Sequence, residues 1–176
     1  DLEKELTDLM KKHAEENDRL RRRLEELLKR HAEENDRLRD RVRRINEEVE
    51  EILRRAPRSE ELEKLKRDHE RRVKEAEDRL RELHRLVEER VREIKDELRK
   101  LHEKVKKILE DLKDIKEEDV IREALERIKR ISDESKRTID EVVKEIEKIT
   151  KESRDLITKY ERDVERSIEE AERRAT

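Results

Sequence analysis

The sequence has no glycine, cysteine, tryptophan or phenylalanine, and only one proline and one tyrosine. Ordinary domains carry about 7% glycine, so its absence is a strong departure. Without glycine there is no phosphate-cradling loop and no glycine cap for a helix end. Without cysteine there is no disulfide, thiolate nucleophile or zinc-thiolate site. No apolar run approaches the roughly 18 residues needed to span a bilayer, and no targeting segment is visible. Neither sign of charge prevails: 51 basic residues stand against 54 acidic ones, a net charge of −3. That balance gives no support to nucleic-acid binding. Runs such as Arg21-Arg22-Arg23 are interleaved with acids and read as solvated helix faces. A soluble chain is expected, with no membrane partner at neutral pH, and its compartment is unknown.

What is present is charge, 60% of the residues, with 30% hydrophobic. Disorder needs high net charge and aperiodic polarity. Here the apolar residues recur in steps of three and four, the signature of amphipathic helices. The first helix is predicted from about residue 2 to 55, with inward positions from Leu2, Leu6 and Leu9 to Val49 and Ile52. Pro57 disfavours helix just before it, and Ser59 is the expected N-cap of the second helix, about 60–114. Asp119 is the expected N-cap of the third, about 120–174. Each helix would be about 80 Å long at 1.5 Å per residue. Short connections make neighbours antiparallel. The expected fold class is therefore all-α, a single-domain up-down-up three-helix bundle. Met10, Leu28, Leu53, Leu109, Val143 and Ile157 flank the main stripes and would either widen the core or support self-association.

The repeat is not a heptad. His13-Ala14-Glu15-Glu16-Asn17-Asp18-Arg19-Leu20 recurs unchanged from His31 to Leu38, 18 residues on. Eighteen residues make five turns, which leaves helices nearly straight, where a heptad would supercoil them. The second helix repeats His84 at His102, and the third repeats Ser135 at Ser153.

These polar residues fall on inward positions at matching heights. In an antiparallel pair, residues at one level have numbers with a constant total. His13 with His102, His31 with His84, and Asn46 with His69 each total 115. His102 with Ser135 and His84 with Ser153 total 237, and His69 with Ser167 totals 236. Three polar layers follow: His13, His102 and Ser135; His31, His84 and Ser153; Asn46, His69 and Ser167. Asn17, Asn35, Ser132 and Thr150 lie within one turn and would extend the first two. Buried polar groups without partners cost about 1–3 kcal/mol each. A neutral imidazole has one donor and one acceptor, which a hydroxyl or amide can match. Such layers are satisfied only with uncharged histidines. Acid would then destabilise the bundle, opening it at about pH 4–5 if it is marginally stable.

The chain resembles computationally designed helical bundles with buried hydrogen-bond networks, in particular those whose histidine networks act as pH switches. The resemblance rests on the 18-residue repeats, the missing glycine and cysteine, the Glu/Lys/Arg surfaces and the layered histidines. It implies a structural protein that serves as a disassembling oligomer, a switchable monomer or a filament subunit, destabilised on acidification. The chain departs from oligomeric members in carrying all three helices itself.

Other functions fit less well. A scaffold or assembly subunit would use the layers only to fix register. Two facing histidines can ligate zinc or copper, but structural zinc takes four ligands and no inward acid stands beside them. No metal site, cofactor or small-molecule substrate is expected. His with Ser suggests acyl transfer, yet these groups lie on packed faces without an oxyanion-forming turn, so no enzyme is expected. The inward Tyr160 is expected to end in a hydrogen bond.

Overall fold

The computed structural model describes residues 2–175, with the side chain of Ala175 left aside. It is an all-α three-helix bundle: α1 is Leu2–Arg55, α2 Glu60–Asp111 and α3 Glu118–Ala175, with no strand among the described residues. Acids occupy the first turn of every helix, namely Glu3 and Glu5, then Glu60, Glu61 and Glu63, then Glu118 and Asp119. There they face the positive end of the helix dipole.

The helix ends follow local chemistry. Ser59 caps α2 as expected, its Oγ accepting from the Leu62 N–H at 3.1 Å. Two boundaries differ from expectation. Helix α2 stops at Asp111, three residues short of 114. No glycine is at hand to terminate it, and no basic residue sits in its last turn. Its trailing carbonyls are instead met by tight bonds from Leu112 N to Leu109 O, Lys113 N to Glu110 O and Ile115 N to Leu112 O, the usual i→i+3 tightening of an uncapped end. Helix α3 begins at Glu118, and the Ile121 N–H donates to Glu117 O at 3.2 Å. Asp119 is thus inside the first turn, not the cap.

Packing resolves two compact units, each taking one stretch of every helix. Among the described residues one comprises 2–29 and 88–146, the other 30–87 and 147–175. In the first, Leu24, Ile94, Leu98, Ile128, Ile139 and Val142 are completely buried. Toward the α2–α3 connection, Leu112, Ile121 and Ala124 close its core against Leu2, Leu6 and Ile108. In the second, Leu38, Val42, Val49, Leu53, Leu80 and Ile157 form a core with Tyr160 and Val164.

Helix directions follow from the cross-helix contacts. His31 meets His84 and Asn46 meets His69, pairs whose constant total makes α1 and α2 antiparallel. In the same unit Arg41 reaches Glu161 and Arg154 reaches Glu34, both 120 residues apart. A constant difference makes α1 and α3 parallel, the up-down-up order. In the first unit Glu16 with Lys136 and Arg23 with Asp140 advance together in the same sense.

The inward stripes need correction at a few places. Ile52 is 44% exposed while Leu53 is 8% exposed, because a step of four from Val49 stays on the buried face. Leu83, Leu101 and Ile157, outside the expected stripes, are buried. Of the flanking set, Leu28, Leu109 and Val143 are half-buried and Met10 is exposed.

Candidate functional site: the paired histidines

The 18-residue repeat places His13 and His31 on the same line of α1, and both are buried, at 5% and 4% exposure. Opposite them, α2 buries Leu83 and Leu101 at the centre of its face and carries His84 and His102 one residue later, half-buried on its flank. The expectation that all these histidines point inward is corrected here for His84 and His102, which are only half-buried. Each pair joins one ring shut away on α1 to one at the edge of α2.

The two pairs share one geometry. His13 Nδ1 lies 3.0 Å from His102 Nδ1, and His31 Nδ1 lies 2.9 Å from His84 Nδ1. Ring planes agree within 2° in both, with centroids 5.2 and 5.1 Å apart. That separation is the nitrogen contact plus two ring radii. The rings therefore meet edge to edge in a shared plane, not face on face. One ring donates its Nδ1–H to the bare Nδ1 of the other.

This contact limits the proton count. A first proton can enter at Nε2 of the donor ring, leaving the Nδ1–H···Nδ1 bond intact and charge-assisted. A second proton must occupy the accepting Nδ1. Both nitrogens then donate, the bond is lost, and two like charges face each other.

Surroundings push the same way. Burial holds His13 below its ordinary value of 6.5, the His102 ring adds to that, and Glu16 opposes it. His31 is lowered by burial, then by His84, with Glu34 opposing. His102 is lowered by burial and by Lys106 and Arg21, against Asp18 and Glu103. The opposing carboxylates are partly engaged on α3: Glu16 pairs with Lys136 at 3.2 Å, and Glu34 with Arg154. These acids and their cations escaped the sequence reading. The signal was available, since Glu16 and Glu34 belong to the repeated octet and Lys136 and Arg154 are likewise 18 apart.

The third layer is built differently. His69, 4% exposed, donates from Nε2 to Asn46 Oδ1 at 2.8 Å. The Asn46 Nδ2 amide donates in turn to Glu50 Oε1 at 3.2 Å. Protonation at His69 Nδ1 leaves this chain unbroken. Burial and Arg72 lower the ring's value below the ordinary 6.5, while Glu50 and Glu70 raise it. The layer borders a cleft of about 210 Å³ that also touches Lys66 and Arg54.

The serines do not complete the layers. Ser135 donates to Ile131 O at 3.1 Å and Ser153 to Ile149 O at 3.0 Å, each down its own helix. Among the described residues no hydrogen bond joins either hydroxyl to an imidazole. Ser167 donates to Asp163 O and accepts from Arg72, not from His69. A hydroxyl on a helix finds its own i−4 carbonyl nearer than a ring on another helix. His13, Asn17, Ser132 and Ser135 do line one crevice, too narrow for water. Asn17 and Asn35 are buried and Thr150 is half-buried.

Among the described residues three buried polar side-chain atoms lack a partner: Arg21 Nε, Asn35 Oδ1 and the Tyr160 hydroxyl. The hydrogen bond expected for Tyr160 is absent. Burial pushes its phenol up to about 12, helped by Glu77 and opposed by Arg72. Removing an unsatisfied buried hydroxyl relieves its desolvation cost. Tyr160→Phe is therefore expected to raise the unfolding free energy by about 1 kcal/mol in urea titrations.

Among the described residues no group of three or more histidines and acids is arranged to hold a metal, and no helix is long and apolar enough to cross a membrane. The chain matches no protein-family model, no curated protein and no solved structure.

Proposed function

We propose that this is a designed, non-catalytic helical bundle that responds to pH, stable near neutrality and destabilised by acid. The observation that carries this reading is the facing pair of Nδ1 atoms in His13–His102 and His31–His84, at 3.0 and 2.9 Å. Such a contact tolerates one proton and not two. Asparagine or serine would serve equally to fix register; histidine adds titration near pH 6.5.

The direction of the effect follows from the shifts. His13, His31, His69 and His102 all lie below 6.5 when folded. The unfolded chain takes up protons first as pH falls. The stabilising contribution is complete above about 6.5 and is lost as pH falls through the folded values. The loss is shared among several rings, so the transition is steep.

Circular dichroism of the intact chain from pH 7.5 to 3.5, beside a variant with all five histidines replaced by asparagine, tests the reading. The wild type is expected to lose helical signal or thermal stability within the window below pH 6.5, and the variant to resist. Equal acid sensitivity in both would remove the pH response and leave a role in register alone.

A further inference from the structure

The paired rings have a second chemical capacity. In each pair two imidazole nitrogens point at one another along a single line, within a common plane, across the α1–α2 contact. A proton is one occupant of such a gap. The other is a metal ion that accepts two donors in a straight line. We propose that His13 with His102, and His31 with His84, are two-coordinate sites for closed-shell monovalent metal ions such as silver(I) or copper(I), the ion bridging the two Nδ1 atoms in place of the shared proton.

The surroundings select the coordination number. Zinc in proteins is usually four-coordinate, and calcium takes six or more oxygens. Neither pair offers that many protein ligands: no third histidine or acid is arranged with either among the described residues. A linear ion needs nothing beyond the two rings, and imidazole is a suitable donor for copper. With metal–nitrogen bonds of about 2 Å the two nitrogens would stand about 4 Å apart. Each pair must then open by about 1 Å, taking about 2 Å per imidazole–metal bond. His84 and His102 sit half-buried on the flank of α2, where a ring can swing outward without disturbing Leu83 or Leu101. The added positive charge is met by Glu16 in one site and Glu34 in the other, the carboxylates that favour charge on His13 and His31.

The balance is simple. The donor ring moves its proton from Nδ1 to its own Nε2, and the other ring already carries its proton there. Two N–Ag bonds form, one N–H···N bond breaks, no net proton is released and nothing is oxidised or reduced.

The inference depends on the facing nitrogens and not on acid sensitivity. Silver nitrate in chloride-free buffer at pH 7.5 is the probe. The full chain carries Met10→Leu, because an exposed thioether (Met10 is 44% exposed) also takes silver. Native mass spectrometry is expected to count two silver ions per chain, one in His102→Gln, none in His84→Gln with His102→Gln, and two in His69→Gln, with excess zinc displacing neither. Nitrogen-15 NMR of the histidine-labelled chain is expected to show silver coupling on Nδ1 of all four paired rings, a readout that needs no further substitution and holds if a variant fails to fold. Two silvers persisting in the double variant, or coupling on Nε2, would overturn the proposal. A chain that binds two silvers yet keeps its helices at pH 3.5 would sink the acid response alone.

Discussion

Replacing His102 with leucine is expected to cost about 1–3 kcal/mol of folding free energy at pH 7.5, and replacing His13 as well is expected to return most of it. The reason lies in the asymmetry of the pair. In His102→Leu the remaining His13 is 5% exposed, and its Nδ1 loses the ring nitrogen it was bonded to. That is the full cost of an orphaned buried polar atom. In His13→Leu the remaining His102 is half-buried at the edge of α2 and can turn its ring to solvent, so the loss is smaller. The double variant leaves no polar atom behind, and an apolar layer of similar shape is close to neutral or stabilising. The interaction energy from this cycle, measured by urea unfolding, should be favourable to the pair. The double variant should also lose the share of acid sensitivity that this layer supplies. Additive single effects would mean that the 3.0 Å contact contributes nothing.

Leu80→Ala is expected to be the most damaging single change in the second unit, at about 2–5 kcal/mol. Leu80 is completely buried among Leu38, Val42, Ala76 and Ile157. Truncation removes its transfer free energy and leaves a cavity that close-packed neighbours fill only in part. The comparison that makes this specific is at the end of α1. Ile52→Ala should fall within about 0.5 kcal/mol of wild type, as surface changes do, while Leu53→Ala should be clearly destabilising. Thermal or urea unfolding reads all three. If the adjacent substitutions cost the same, the burial pattern at the end of α1 is wrong.

Much of the fold was open to reading because helices announce themselves locally. Apolar steps of three and four set the extent of α1, and Ser59 marked the start of α2. The constant totals placed His13 opposite His102 and His31 opposite His84 because an antiparallel helix pair leaves only one free parameter, the offset. The misreadings cluster where a third partner competes. Tyr160 was expected to find an acceptor, yet its buried hydroxyl has none. Ser135, Ser153 and Ser167 were assigned to imidazoles, but their own helices supply carbonyls at shorter reach.

Residue order alone, then, determined three long helices, their directions, and the heights at which histidines face one another, because periodicity and offset are properties of a one-dimensional pattern. Only the tertiary structure decided that α2 seats Leu83 and Leu101 at its centre and pushes His84 and His102 to the rim. It also decided that each pair meets through Nδ1. Helix rotation and ring orientation depend on how side-chain volumes fill the space between three helices at once, and no spacing along one chain encodes that.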